Sequence, residues 1–215
     1  MLCSRTVLRA QEYWFKNIGL AEGLSASQVN TICKDSRGFV WIGTSAGLNL
    51  YDGFYIRQFQ SNYLSASSLT DNYITSIQEG YDGNLWIRTS GGYVILDPST
   101  QRFDRSIAQR LSVIDANLNP DLIFFDHWKN VWVYVKDQAL YYYKSKQQLV
   151  YTLRFGDDHQ GMRKGTISDI YEVTDGVLVA YTNGLVCCVS GEQQRVQWYN
   201  EVVARNTNQD RKSVV

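Results

Sequence analysis

Two prolines, two histidines and four cysteines in 215 residues remove several readings at once. The cysteines, Cys3, Cys33, Cys187 and Cys188, include no C-x-x-C pair, and His127 and His159 lie far from them in sequence. A zinc site therefore has no support. Cys187 and Cys188 are neighbours that point to opposite faces of any strand carrying them, so the thiols read as packing groups. The chain has no run of 18 apolar residues, and nothing in it reads as a membrane-spanning helix. Charge of one sign is missing too. Lys and Arg number 21 and so do Asp and Glu, without the basic footprint of a nucleic-acid binder or of a polybasic membrane-surface protein.

What is abundant is aromatic. Fifteen Tyr, six Trp and 44% hydrophobic residues exclude disorder, and with so few prolines they tilt the chain towards strands. The length suffices to bury about 70% of the unfolded surface, so a core forms without disulfide or metal.

The strongest signal is a repeat. Residues 29–59 and 73–103 align from Val29 with Tyr73 to Ile42 with Ile87, an offset of one residue following, and Trp41 and Trp86 lie 45 apart. Trp132 follows 46 residues on, in a third unit over 122–143, and Leu178 stands at the same place in a fourth over 168–192. Each unit begins with an apolar–polar alternation and then a polar turn: Asp35-Ser36-Arg37-Gly38, Tyr81-Asp82-Gly83-Asn84, His127-Trp128-Lys129-Asn130, Thr174-Asp175-Gly176. An apolar run follows, then a second tight turn, glycine-bearing except in unit three, where Lys136-Asp137-Gln138-Ala139 stands. A third strand and an aromatic-bearing outer strand complete the unit. Four strands in about 45 residues describe a β-propeller blade.

The sequence predicts an all-β propeller of about four four-stranded antiparallel blades, near 29–59, 73–103, 122–155 and 168–199. Residues 13–199 hold the blades, 1–12 a tail or signal-peptide remnant, and 200–215 a polar tail. With four units and an outer strand at Tyr13–Lys16, the ring is expected to be open, with an exposed edge prone to self-association.

Gly23-Leu24-Ser25, Val29-Asn30, the Asp35–Gly38 turn, Trp41-Ile42-Gly43-Thr44 and Gly47-Leu48 leading to Tyr51-Asp52-Gly53 resemble the two-component regulator propeller repeat. Tyr13-Trp14-Phe15 is similar to that family's first strand. The resemblance is close in unit one and good in unit two, where Arg88 replaces a small residue, and loose in units three and four. It implies the N-terminal part of a periplasmic sensor region of a Bacteroidetes-type hybrid histidine kinase and response regulator. That region would bind a glycan-derived oligosaccharide or similar ligand and have no catalytic activity of its own. The full-length sensor would be a dimer, with its kinase outside this chain.

Catalytic motifs are lacking. The chain has no G-x-S-x-G, no P-loop and no H-E-x-x-H. Asp157-Asp158-His159 reads as a solvated loop rather than a metal site, and Asp126-His127 as turn residues rather than an acid–base pair. No cofactor, metal or catalytic residue is expected, and no ligand-binding residue is assigned. Among Trp14, Tyr63, Tyr81, Trp128, Tyr142 and Trp198, most read as blade packing; Trp128 stands out because it lies in a turn. The connections 60–72, 104–121 and 156–167 are the longest loops, the middle one able to hold a helical turn. Two other readings stay open: a propeller lyase or glycosidase, whose acids would come from distant blades, and a protein-interaction scaffold.

Overall fold

A computed structural model describes residues 15–111, 119–144, 148–156, 162–163, 165–174, 176–191 and 195–199. Four antiparallel sheets follow one another along the chain. Blade 1 is β1 (Val29–Lys34), β2 (Val40–Thr44), β3 (Gly47–Tyr51) and β4 (Ile56–Phe59). Blade 2 is β5 (Ile74–Glu79), β6 (Leu85–Thr89), β7 (Gly92–Asp97) and β8 (Arg102–Asp104), followed by a single helical turn, α1 (Ile107–Arg110), in the middle connection. Blade 3 is β9 (Leu122–Phe125), β10 (Val131–Val135), β11 (Ala139–Lys144) and β12 (Gln148–Gly156). Blade 4 is β14 (Ile167–Val173), β15 (Gly176–Tyr181), β16 (Val186–Ser190) and β17 (Val196–Trp198).

Two details differ from the sequence reading. The third sheet has a fifth strand, β13 (Met162–Arg163), pairing parallel with Phe155–Gly156 in what reads as a loop. Met162 is fully buried there, with Tyr181 and Cys187 against its sulfur. The first three strands of the first two blades also keep one 45-residue offset, with Val29 matching Ile74, not Tyr73, and the slip comes only at the outer strand, where Ile56 matches Phe103. The same bulge after the first residue of β1 and of β5 sets this register.

Turn chemistry explains how blade 3 dispenses with glycine. Gly38 and Gly83 take φ of 94° and 76° in the first turns of blades 1 and 2, and Lys129 takes 62° at the matching place. In the second turn of blade 3, Asp137 takes 59°. Asp tolerates that region better than most side chains, whereas Lys there is uncommon.

The core lies between blades. In blades 1 to 3 the second strand puts its tryptophan on the face towards the next blade and Ile or Val on the opposite face. Trp41 of blade 1 packs with Ile87 and Val94 of blade 2. Trp86 packs with Phe125 and Val133 of blade 3, and Trp132 with Val177 and Val179 of blade 4. Three clusters thus join four blades. Among the described residues no such cluster joins blade 4 to blade 1, so the blades form an arc. One repeated isoleucine shows the consequence. Ile77, Ile123 and Ile170, each facing the preceding blade, are 5%, 3% and 2% exposed, while Ile32 at the same place in blade 1 is 65% exposed.

Polar locks fix the packing. The Asp35 carboxylate, itself buried, accepts the Trp41 indole N–H (3.0 Å), the Phe39 and Arg37 backbone N–H groups (2.9 and 3.0 Å) and the Arg37 guanidinium (3.1 Å). Glu79 of blade 2 reaches both neighbours: it accepts the Ser36 hydroxyl (2.6 Å) and backbone N–H (3.1 Å) of blade 1 and the Lys129 ammonium (3.2 Å) of blade 3. Burial pushes both carboxyls up, but these hydrogen bonds and cations outweigh it and hold them below the usual carboxylate range. In blade 2 the position of Asp35 is taken by Gly80, and Trp86 fills the space. A Cβ on Gly80 would stand 2.7 Å from Trp86 Nε1, which has no hydrogen-bond partner.

Three stability results are expected. Trp86→Ala should lower the unfolding free energy by about 3–5 kcal/mol in urea, as a core deletion; a change under about 1 kcal/mol would place Trp86 outside the core. Gly80→Ala should cost about 1–3 kcal/mol by forcing the indole aside, and an unchanged urea midpoint would refute the close approach. Because Asp35 and Glu79 are depressed, their stabilisation is full above about pH 5, clear of their unfolded values, and is lost as pH falls through their lower folded values. Asp35→Asn should therefore destabilise at pH 7 and flatten the acid limb of the stability curve. An acid limb as steep as the parent's would contradict that role.

Candidate functional site

On the side of the first and third turns of blades 3 and 4 lies a cleft of about 990 Å³. From blade 3 it takes the turn residues Asp126, Trp128 and Asn130, then Trp132, Tyr142 and Lys144. Blade 4 adds Val173, Thr174, Gly176, Ser190 and Gly191, with Arg195, Gln197 and Tyr199 along its outer strand. Gly176 is required by backbone proximity: a Cβ there would meet the Val189 carbonyl oxygen at 2.0 Å. That contact lets the hairpin of blade 4 close tightly beside the cleft.

The turn that carries Trp128 is braced from both sides. Asp126, buried, accepts the backbone N–H of Asn130 (2.8 Å) and its side-chain amide (2.9 Å). Lys129 reaches back to Glu79 of blade 2. His127 reaches forward: its backbone N–H donates to both oxygens of Glu172 in blade 4 (3.1 and 3.0 Å), and its ring Nδ1 meets the same carboxylate. The Trp128 ring lies against the His127 ring at a tilt of 41° and remains 54% exposed. Below it, the buried Trp132 has its Nε1 without a hydrogen-bond partner, although Trp41 at the same place in blade 1 finds Asp35. Asp126, six residues before Trp132, is engaged by Asn130 instead.

The arrangement suits recognition of a polar molecule with flat apolar faces. Trp128 and Tyr199 contribute aromatic residues to its lining, Gln197 and Thr174 polar ones, and Lys144 and Arg195 basic ones. Among the described residues no group of three or more His, Cys, Asp or Glu side chains has the spacing to hold a metal ion.

Of the aromatic residues singled out in the sequence, Tyr142 and Trp198 are buried packing residues, as expected, although Tyr142 also reaches the cleft. Tyr81 packs partly buried against the core between blades 2 and 3, and Tyr63 is exposed. Trp14, Cys3 and Asp157-Asp158-His159 lie outside the described residues. Asp126 and His127 do not face each other as an acid–base pair; each braces the turn through a different partner. Cys187 is buried, its thiol pushed up to about 12 by burial, while Cys188 takes the opposite face and lines the cleft. Lys144 and Arg195 carry no signal in the sequence, because they sit where the repeat is loosest.

Residues 23–46 and 68–91 match the sequence profile of the two-component regulator propeller, again at an offset of 45. The structural counterpart is a hydroxyl pair before each second turn: Ser25 with Thr44 (2.8 Å), and Thr70 with Thr89 (2.7 Å). Among solved structures, the chain is similar to the extracellular domain assigned to a hybrid two component system of B. thetaiotaomicron, with a TM-score of 0.62 and 19% identity over 86% of this chain and 26% of that one. A second extracellular domain of that organism, assigned to another such system, gives 0.51 and 15% over 82% and 30%. At these identities the likeness is one of fold, and the chain spans under a third of either domain. No curated protein matches it significantly. The chain is therefore an all-β propeller segment whose first two blades carry two-component regulator propeller repeats.

Proposed function

We propose that this chain is the ligand-sensing propeller part of an extracytoplasmic hybrid two-component sensor, and that it binds a glycan-derived oligosaccharide without turning it over. The observation that carries the reading is the cleft at the turns of blades 3 and 4, with a half-exposed tryptophan on a braced turn and polar residues in its lining. Sugar rings stack on such a face through their axial C–H groups while their hydroxyls bond to amides and charged side chains. The repeats in blades 1 and 2 connect that recognition to signalling. A signal would arise from different affinities of the ligand for two arrangements of the assembled sensor.

The flanks of the arc bear on assembly. Ile32 on one flank and Tyr171, 72% exposed, on the other are the apolar groups that a neighbouring blade covers elsewhere. Contact between the two unlike flanks of separate copies would be heterologous and would build dimers or larger species. Light scattering should show a mass that rises with concentration; a monodisperse monomer throughout would exclude this self-association.

The binding reading is tested by calorimetric titration with a panel of oligosaccharides beside an assay for cleavage of the parent polysaccharides. Saturable heat with unchanged sugar length is expected. Turnover would establish the lyase or glycosidase reading instead, and no heat with any saccharide would remove the glycan.

A further inference from the structure

Resting on that reading, we infer that the Asp126 carboxylate has two positions, and that a ligand at the Trp128 turn is sensed as its move from Asn130 to the Trp132 indole. Blade 1 shows the second position. There Phe39, four residues after Asp35, donates only its backbone N–H to the carboxylate, and Oδ2 accepts the Trp41 indole N–H at 3.0 Å. In blade 3 Asn130 stands where Phe39 stands. Its backbone N–H donates to Oδ1 of Asp126 (2.8 Å), and its side-chain amide donates to Oδ2 (2.9 Å). Trp132 follows Asp126 by six residues, as Trp41 follows Asp35. It is fully buried, and its Nε1 has no acceptor.

A buried N–H without an acceptor is uncommon enough to need a cause. Blade 2 has a plain one: Gly80 stands at the aspartate position, so Trp86 has no carboxylate to meet. Blade 3 keeps the carboxylate and points it elsewhere. Sharing one oxygen is not the obstacle, because Asp35 Oδ2 accepts Arg37 and Trp41 together. Direction is, and an Asp carboxyl turns over a broad range about its terminal torsion. The two positions exchange one hydrogen bond for another. They do so inside the turn that presents Trp128, and against the indole that packs on Val177 and Val179 of blade 4. A saccharide on Trp128 that binds better to the turn with its Asn130 amide withdrawn shifts the balance. The shift ends in the core between blades 3 and 4, where a change at one turn becomes a change in how two blades pack.

The test follows the tryptophan indole N–H signals of the full, nitrogen-labelled chain by NMR. Asn130→Ala, or Asn130→Phe to copy blade 1, should release Oδ2 of Asp126 without any ligand. The Trp132 signal should then move downfield towards that of Trp41, and its exchange with solvent should slow. The Trp41 and Trp198 signals should stay in place and report the intact fold. The probes are cellotetraose, maltotetraose and xylotetraose, and one that binds the parent chain should produce the same shift at saturation. Because the variants already hold the ligand-favoured position, they should bind that probe about threefold or more tightly, whereas loss of an ordinary contact would weaken it. An unmoved Trp132 signal in both variants would overturn the two positions. A probe that binds with that signal unmoved, or binds the variants more weakly, would overturn the link to sensing and leave oligosaccharide binding intact. No binding of any probe would overturn the glycan reading and the sensing link together, and the variants alone then decide on the two positions.

Discussion

A small twisted sheet has two apolar faces, and the need to bury both governs the whole molecule. The solution is repeated in the second strands of blades 1 to 3: an indole faces forward, a β-branched residue faces back, and the neighbouring sheets fill the spaces. Ring closure ordinarily ends such a series without leaving an open face. In this chain the series leaves Ile32 exposed at one flank and Tyr171 at the other, so the packing rule also marks the two open flanks among the described residues. The fourth blade has Leu178 in place of tryptophan on that last flank, a smaller residue only partly buried.

Because the strands are occupied with packing, the turns carry the polar work. On one side of the arc they make a chain of contacts from blade to blade: Ser36 to Glu79, Glu79 to Lys129, His127 to Glu172. The last contact belongs to the same turn that presents Trp128, so the brace between blades 3 and 4 and the recognition surface are one piece of structure. A ligand in the cleft would touch both blades at once. Any change in their separation would then be felt by the contacts that run on through Lys129 and Glu79.

Much of this was legible in the sequence because a propeller repeats its constraints. Trp41, Trp86 and Trp132 fix the register, and Asp, Asn and Gly mark the turns, so blade number and strand order follow from spacing. The fifth strand, Met162–Arg163, was not legible, because two residues pairing in parallel leave no periodic trace. Nor was the common register of the first three strands in blades 1 and 2, since matching bulges hide the true partner of Val29. The site was legible only through Trp128, an aromatic residue in a turn that does not need one for packing. Lys144 and Arg195 lie 51 residues apart in blades whose likeness to the repeat is weakest, and only the fold brings them to the lining of one cleft.

The central claim is that recognition resides in the turns between blades 3 and 4 and that the other blades are scaffold. Hydrogen–deuterium exchange with and without a saturating saccharide tests it most directly. The account predicts new protection in the Asp126–Asn130 turn and in blade 4 around Ser190–Gly191 and Arg195–Tyr199, with blades 1 and 2 unchanged. Protection confined to the loops of blades 1 and 2, with the Trp128 turn exchanging as before, would contradict it.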